Sequence, residues 1–584
     1  MGITVNTYIR AVVLWLLPSV LLLTVNDPVT AWTHSQSLLP LHPIRGTRTS
    51  TTTTATATSS CLFLASRSDS GNTQKQLIPR SVTNLERWAE RVGIQKSPAL
   101  RLDQDPASGY GWTATTDIAA NQVLLQVPTD MALTVTCPGD GPNDTRVLRR
   151  CSDRKAFREG LPWYAQFSAY LHVLKKEGNN GSIDDKSSSS SNRDVQAWLE
   201  SLPRSLDTPL HWKTDNIDDA MSELQYDFMT KAVSKQRDAW QRYHKALQAN
   251  GFDDLSYDDF VWGCEMARSR AFSGAYTGGA FNPGIYAFTL ALVAIYIGLG
   301  LGTTEQAANG AGVVFCVTVL KDFVFPKLFK SKKYVICPLI DMANHQSVGY
   351  VGDVSFEYFA NAYSLSTTSA VKAGQALCIN YGARSNDQWL QYYGFIEPNN
   401  PHDVYIMLPL REWPLNDMEV AAGRSVAAGR LQALERAGLL GYTYPDEISN
   451  NGADNDNGQI FDENAANADG GVVITRDVGL DPAVWQALRA LFCTDAEWQA
   501  AGESVGSFAE SSPSAATERA VRNAAKCALE WELSRKATTL EQDITLQQRQ
   551  SNSKAVDMST AETLVLAFRI EKKKLLQECL KMIA

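Results

Sequence analysis

The sequence predicts an α+β fold in which a strand-rich half precedes an all-helical C-terminal domain. In the first half, two apolar strands each run into a polar motif, and these motifs, residues 338–345 and 379–382, lie about 35 residues apart. The last part of the chain instead repeats apolar residues at helical spacing. The chain has 584 residues, which is enough for two or three domains with substantial cores.

The two motifs form one pattern when they are taken in order. The first reads PLIDMANH and ends at His345, the second reads INYG over residues 379–382, and YGF follows at residues 393–395. A tyrosine before a glycine alone indicates a strand that ends at a turn. Neither motif is a nucleotide-binding glycine loop or a nucleophile elbow. Together they resemble the signature motifs of a SET domain, a methyltransferase fold that uses S-adenosyl-L-methionine.

Further segments extend the resemblance in both directions. A glycine-rich turn at residues 109–112 (GYGW) precedes a strand pair, as at the opening of a SET domain. Residues 266–272 (MARSRAF) are similar to the Ser-Arg-x-Phe segment of plant enzymes that methylate lysine in the Rubisco large subunit. Residues 538–543 and 564–580 resemble the helical substrate-binding domain of that branch. The resemblance therefore implies a β-rich SET domain with a pseudoknot and a helical insert, followed by an all-α domain.

Local chemistry supports helices in the C-terminal part. Thr538 with Glu541, and Ser559 with Glu562, fit capping boxes that satisfy the free backbone donors of a first turn. A third pair, Ser256 with Asp259, predicts the start of the helix that leads to the Ser-Arg segment. The closing helix has one apolar face, formed by Leu564, Phe568, Leu575, Cys579 and Met582. Periodicity alone is equally compatible with a generic helical bundle.

The resemblance assigns roles to individual residues. Tyr381 would be the catalytic residue, whose hydroxyl orients the amine or the methyl group, and Phe272 would flank the substrate lysine. No metal site is expected, because the ten cysteines are scattered without zinc-ligand spacing. The residues expected to bind S-adenosyl-L-methionine are Gly109, Gly111, Trp112, Ser269, Arg270, Asp341, Asn344, His345, Tyr393 and Phe395.

The predicted organisation begins with targeting sequence. An apolar core after Arg10 indicates a signal peptide over 1–31. Residues 28–68 are rich in Ser and Thr and contain no Asp or Glu, which indicates a transit peptide over 32–75. Such a bipartite presequence is typical of plastids inside extra membranes, so we expect a location in the chloroplast stroma. An ordinary secreted protein is the alternative. The predicted domains are a split SET domain over 76–400, with a helical insert at about 155–268, and an α-helical substrate-binding domain over 401–584.

An apolar insertion at about 273–333 departs from the family pattern. It contains two uncharged apolar runs, residues 286–302 and 312–320, which predict either buried helices or a membrane-associated segment over 286–320. Two polar segments, 450–471 and, more weakly, 504–517, have the composition of disordered loops.

Charge and motifs together define the expected function. Residues 1–66 hold three arginines and one aspartate, which is a local charge of +2. Because the net charge of the protein is −9, the remaining residues carry −11. Such an acidic body argues against a nucleic-acid partner. We expect a monomeric protein-lysine N-methyltransferase that acts on a plastid protein such as Rubisco large subunit or aldolase. Three alternatives remain open: a protein-histidine N-methyltransferase, a non-catalytic protein-binding module, and a membrane-associated scaffold.

Overall fold

A computed structural model gives the fold of the chain. Both predicted targeting segments and almost all of the apolar insertion lie outside the described residues, as does the polar segment 450–470. Among the helices that the structure describes, none is long and apolar enough to cross a membrane. The described residues are 80–105, 109–137, 141–142, 145–179, 195–212, 223–224, 226–275, 291, 295, 332–357, 360–440, 471–552 and 559–583.

Short antiparallel strands form four small sheets in the described part of the chain. Their orders are β1-β4-β10-β9, β2-β3, β6-β5-β8-β7 and β11-β12-β13. The strands are β1 (Gln95–Lys96), β2 (Leu100–Asp105), β3 (Gly109–Ala114), β4 (Val123–Pro128), β5 (Leu133–Cys137), β6 (Gly141–Pro142), β7 (Phe272–Ala275), β8 (Lys332–Ile336), β9 (Gly352–Glu357), β10 (Ala362–Thr367), β11 (Val404–Met407), β12 (Val472–Thr475) and β13 (Gly479–Leu480).

Helices make up most of the remaining described chain. In the first half they are α1 (Arg80–Arg91), α2 (Thr145–Arg150), α3 (Arg154–Gly160), α4 (Trp163–Asn179), α5 (Gln196–Ser201), α6 (Asp227–Ala249), α7 (Tyr257–Arg270) and α8 (Asn386–Tyr393). In the second half they are α9 (Leu415–Ala422), α10 (Ala428–Arg436), α11 (Pro482–Phe492), α12 (Asp495–Ala500), α13 (Ala515–Ser534), α14 (Leu540–Asn552) and α15 (Thr560–Ile583). Short 3₁₀ turns cover Ile340–Met342, Leu410–Glu412 and Val505–Phe508.

Two of the three predicted helix caps are confirmed. Ser256 accepts a hydrogen bond from the Asp259 backbone at the start of α7, and Ser559 does the same for Glu562 before α15. The capping pair predicted at Thr538 is wrong by one residue, because Thr539 and Gln542 form it instead. The hydroxyl of Thr538 is already used by buried charged groups, since it donates to Asp543.

The described residues bury two large hydrophobic cores and one small cluster, formed by Leu540, Leu566 and Ile570. The first surrounds the sheets of the N-terminal half together with α4 and α7, and it includes the buried indoles of Trp88, Trp112 and Trp198. The second joins the C-terminal helices to β11, β12 and β13, and the start of α6 contributes Met229 and Val233 to it. The C-terminal half is mainly helical, as predicted. Its three-stranded sheet is an addition, because strands of two to four residues carry almost no periodic signal.

Three local predictions are wrong. The segment 504–517 is ordered: Val505 and Phe508 are buried against the second core, and α13 begins at Ala515. Met582 does not share the apolar face of α15, since 51% of its surface is exposed. The second apolar strand, predicted over residues 376–379 ahead of the INYG motif, is not a regular strand, because these residues form only isolated bridges, to Thr113, His345 and Gly352.

Candidate active site

The fold brings the two sequence motifs into direct contact. The carbonyl of Asn344 accepts a hydrogen bond from the Ile379 backbone at 2.8 Å, and the Ile379 carbonyl accepts one from the Gln346 backbone at 3.0 Å. His345 and Ile379 therefore pair in parallel as neighbouring segments. This pairing puts Asn344 and His345 beside Tyr381, although about 35 residues separate them in the chain.

Tyr381 is held at both ends. Its backbone N–H donates to Nδ1 of His345 at 3.1 Å, and its hydroxyl donates to the Ala343 carbonyl at 2.6 Å. Burial raises the pKa of Tyr381 well above its ordinary value, so the hydroxyl keeps its proton at neutral pH. A hydroxyl that donates its only proton still offers oxygen lone pairs. Tyr381 can therefore accept a hydrogen bond but is poorly suited to act as a general base.

Arg270, which is partly buried, forms an ion pair with the buried Asp341 beside this tyrosine. Nη1 of Arg270 donates to the Asp341 carboxylate at 3.0 Å, and Nε1 of Trp198 donates to the same carboxylate at 3.2 Å. Burial raises the pKa of Asp341, while Arg270 and Trp198 oppose that shift. Nε of Arg270 is buried and has no hydrogen-bond partner among the described residues. The hydroxyl of Ser269, by contrast, donates to the backbone carbonyl of Glu265 in the same helix at 2.7 Å.

The predicted glycine turn is part of a strand. Gly109 begins β3 with a positive φ of 75°, and Gly111 lies inside β3. A Cβ atom at Gly111 would lie 2.7 Å from Nδ2 of Asn344, so only glycine leaves the Asn344 amide its present position. Trp112 is buried and donates from Nε1 to the Leu339 carbonyl at 2.8 Å. Leu339 itself has a φ of 70°, and such strained backbone is frequent near functional sites.

An aromatic cluster encloses Tyr381. Tyr393 stacks on Tyr381 with ring centroids 5.7 Å apart, and Phe395 lies 6.1 Å from the His345 ring. Trp389 completes the cluster, at 4.3 Å from His345 and 5.2 Å from Phe395. The predicted residues Tyr393 and Phe395 are therefore both at this site. Phe272, the predicted substrate contact, pairs with Val335 in the sheet and packs against the first core.

The sequence missed four side chains that belong to this site: Trp198, Ser347, Trp389 and Glu397. Glu397 accepts hydrogen bonds from the Ser347 backbone at 2.8 Å and from its hydroxyl at 2.6 Å, and lies 3.4 Å from Nε2 of His345. The one available signal was position, because Glu397 follows the YGF segment by two residues. Trp198 is 143 residues from its partner Asp341, so no local pattern could have paired them.

The fold matches a solved methyltransferase structure. The chain aligns with Rubisco LSMT bound to sinefungin and monomethyllysine at a TM-score of 0.50 and 18% identity, over 87% of this chain and 92% of that one. The fold is that of a SET domain. It is the fold that the paired motifs predicted, and the α+β class is confirmed. No model of a protein family matches the chain.

Curated relatives agree with this fold. The chain is 21% identical over 365 residues to the chloroplastic Rubisco large subunit N-methyltransferase of Pisum sativum, and it spans 57% of that protein. It is 20% identical over 397 residues to the chloroplastic fructose-bisphosphate aldolase-lysine N-methyltransferase of Arabidopsis thaliana, of which it spans 66%. It also resembles the actin-histidine N-methyltransferase of Dasypus novemcinctus, at 21% identity over 43% of that protein. The chain thus covers less than two thirds of each of these relatives.

Proposed function

We propose that the protein is an S-adenosyl-L-methionine-dependent protein-lysine N-methyltransferase. The observation that carries the proposal is the double anchoring of Tyr381, whose hydroxyl is turned to Ala343 and whose backbone is bound by His345 at the crossing of the two motifs. The likeness to two plastid lysine methyltransferases supports it. An intact site of this kind also argues against a purely structural scaffold.

The residues around Tyr381 fit S-adenosyl-L-methionine. Nε of Arg270 has no hydrogen-bond partner in the described part of the chain and is a buried donor suited to a carboxylate. The Asn344 amide lies over the bare backbone of Gly111. We propose that these groups hold the amino-acid portion of the donor, with Asp341 fixing the Arg270 guanidinium. Phe395 and the backbone of His345 would hold the adenine. Gly109, Trp112, Ser269 and Tyr393 remain predicted contacts, and Phe272 remains a predicted contact of the lysine.

For this methyl transfer, the protein mainly has to orient the lysine amine and remove water from around it. The donor, when bound, supplies a methyl group on a positively charged sulfur. Free lysine has a pKa of about 10.4, so only roughly one amine in a thousand is nucleophilic at neutral pH. The aromatic rings of Tyr381, Tyr393 and Trp389 would exclude water from the bound amine, which disfavours its charged form and lowers that pKa. The Tyr381 oxygen then accepts an N–H from the neutral amine and aligns its lone pair.

We further propose a plastid location and a plastid protein substrate. The matched relatives from Pisum sativum and Arabidopsis thaliana are both chloroplastic, and one acts on Rubisco large subunit and the other on aldolase. The predicted presequence over residues 1–75 is consistent with import into the stroma. We propose that the mature protein works there as a monomer on one of these two proteins.

Label transfer from S-adenosylmethionine tests this function. Mature protein is incubated with methyl-labelled donor and a plastid stromal extract, and the labelled residue is identified by mass spectrometry. Wild type should label lysine, and Tyr381→Phe should lower the rate on the order of a hundredfold, because the amine loses its acceptor. Tyr257→Phe is the matched control, since that hydroxyl is buried without a hydrogen-bond partner among the described residues. Absence of label with wild type, or label on histidine, would contradict the proposal.

A further inference from the structure

We infer that Glu397 is a positioning residue for Tyr381, to which it is linked through Ser347 and His345. Glu397 lies in the segment after α8, and none of the sequence motifs includes it. Its kinetic consequence rests on the proposed methyltransferase function, whereas its structural consequence does not. The contacts form one continuous series of hydrogen bonds from Glu397 through Ser347 and His345 to Tyr381.

The series of hydrogen bonds begins at the Glu397 carboxylate. One oxygen accepts the Ser347 backbone N–H at 2.8 Å, and the other accepts the Ser347 hydroxyl at 2.6 Å. The second oxygen also lies 3.4 Å from Nε2 of His345, and that nitrogen is 3.1 Å from the Ser347 hydroxyl oxygen. On the other side of the imidazole, Nδ1 is 3.1 Å from the backbone nitrogen of Tyr381.

These contacts leave the His345 ring one neutral arrangement. A backbone N–H can only donate, so Nδ1 must present its lone pair to Tyr381. The proton of the neutral imidazole is then on Nε2, where it faces two acceptors, the Ser347 oxygen and the Glu397 carboxylate. Without the carboxylate, the Ser347 hydroxyl would be free to donate to Nε2, which favours a proton on Nδ1, and only the Tyr381 N–H would still favour the proton on Nε2. Glu397 therefore selects the tautomer that can hold Tyr381.

Glu397 is itself held firmly and kept charged. Its backbone N–H donates to the Asn386 side chain at 2.9 Å, and its carbonyl accepts from the same side chain at 3.1 Å, which fixes it to the start of α8. Burial alone raises the pKa of Glu397, but the hydrogen bonds from His345 and Ser347 outweigh burial and lower it. The carboxylate is consequently ionised at neutral pH and accepts all three contacts.

The hydrogen bonds from Glu397 to Tyr381 fix the position of Tyr381, but the fold does not depend on them. The crossing of the two motifs is held separately by backbone hydrogen bonds between Asn344, Gln346 and Ile379. The His345 ring is also packed against Trp389 at 4.3 Å, so it stays in place when its protonation pattern changes. Loss of Glu397 should accordingly release the Tyr381 backbone while the donor-binding residues keep their places. The expected effect is on turnover rather than on donor binding.

The first test reads the tautomer directly and does not depend on activity. Protein labelled with ¹⁵N-histidine is studied by NMR, and the His345 resonances are identified by their loss in His345→Asn. Wild type should show His345 protonated on Nε2 with a bare Nδ1. Glu397→Gln should give a mixture of the two neutral tautomers. An unchanged Nε2-protonated ring in Glu397→Gln would overturn the inference, whatever the enzyme does.

The second test is kinetic and uses a matched glutamate. Glu357 also accepts serine hydroxyls, from Ser355 at 3.2 Å and Ser364 at 3.0 Å, but it lies in β9. With labelled donor and stromal extract, Glu397→Gln should lower apparent kcat on the order of tenfold and change the apparent KM for S-adenosylmethionine less than about twofold. Glu357→Gln should alter neither value.

A double-mutant cycle shows whether Glu397 acts on Tyr381 through His345 or whether its loss damages the site in another way. In His345→Asn, the amide oxygen can accept the Tyr381 N–H without any choice of tautomer, so adding Glu397→Gln to that variant should cost no further activity. An equal loss in both backgrounds would show that Glu397 acts independently of His345 and would overturn the inference. If wild type transfers no label, the proposed function fails, and the tautomer measurement still decides whether the contact chain operates.

Discussion

At the residue scale, the site depends on small groups that leave room for polar contacts. Gly111 has no side chain, and the Asn344 amide occupies the space that a Cβ would fill. Tyr381 donates its hydroxyl proton to Ala343 and so presents only acceptor capacity to a substrate. The first feature exists because Gly111 lacks a Cβ atom, and the second exists because the Tyr381 hydroxyl proton is already bound to Ala343. Single substitutions should therefore change donor binding and turnover separately.

Substitution of Gly111 by alanine tests the close approach to Asn344. The added Cβ would lie 2.7 Å from Nδ2, and the amide must rotate away because it is the movable end of its side chain. We expect an affinity for S-adenosylmethionine weaker by about tenfold and a stability loss of about 1 kcal/mol. Titration calorimetry and urea unfolding measure the two effects.

Gly429 provides the control for that substitution. It lies in α10, and no atom of the described residues would be within 4 Å of an added Cβ. Gly429→Ala should leave donor affinity unchanged and raise stability by up to about 1 kcal/mol, because alanine favours the helix. Equal donor affinity in wild type and Gly111→Ala would show that the Asn344 amide does not contact the donor.

At the element scale, side-chain caps fix where the C-terminal helices begin. Thr494 and Glu497 form a reciprocal capping box at the start of α12. The Glu497 carboxylate also accepts the Thr517 hydroxyl at 2.7 Å, which ties α12 to the first turn of α13. Burial raises the pKa of Glu497, but hydrogen bonds from Ser514, Thr494 and Thr517 outweigh burial and lower it to about 2. One carboxylate thus orients two helices.

The lowered pKa makes the contribution of Glu497 depend on pH. A carboxyl group whose pKa is lower in the folded state stabilises fully above its unfolded pKa, here 4.5, and loses that effect as the pH falls toward 2. Glu497→Gln should therefore cost about 1 kcal/mol at pH 7 and progressively less from about pH 5 to pH 3.

Urea unfolding at each pH gives the difference in free energy of unfolding. The control is Glu530→Gln, because Glu530 lies on the surface of α13 and pairs at 3.8 Å with Lys526. That substitution should cost less than about 0.5 kcal/mol. A Glu497→Gln cost that stays constant between pH 7 and pH 3 would contradict the assigned role.

At the scale of the whole molecule, a buried lysine ties the last helix to α8, the helix that carries Trp389 and Tyr393. Lys572 of α15 is fully buried, and its ammonium contacts Asp387, at the start of α8, and Asp403, before β11, the latter at 2.9 Å. Burial lowers the pKa of Lys572, but the two aspartates outweigh burial and raise it, so the lysine stays charged. Because α8 also carries Trp389 and Tyr393, the C-terminal domain is connected to the site through this ion pair.

Removal of the lysine charge should destabilise the fold strongly. Lys572→Met leaves Asp387 and Asp403 buried without a counter-charge, and we expect a loss of about 3–5 kcal/mol. Lys574→Met, two residues along the same helix, removes an ammonium that pairs with Glu571 and is 29% exposed, so its cost should stay below about 1 kcal/mol. Chemical denaturation compares the two variants. Equal costs would mean that the buried cluster does not hold α15 to α8 and β11.

Much of the site could be predicted because its residues fall in short motifs. The spacing of His345, Tyr381 and Phe395 indicated the SET fold, and the structure brings these three side chains together. The caps at Ser256 and Ser559 were predictable because a capping box involves only neighbouring residues. The cap at Thr538 was not, since long-range charges occupy its hydroxyl.

The sequence by itself determined the fold class, indicated the starts of α7 and α15, and pointed to Tyr381 as the central residue of the predicted site. Only the tertiary structure decided which side chains support that tyrosine. Trp198 reaches Asp341 across 143 residues, and Lys572 reaches Asp387 across 185. Glu397 is paired with Ser347 across 50. Such contacts form when burial removes polar groups from water and forces them to find partners, and that requirement depends on the packed chain rather than on any local pattern.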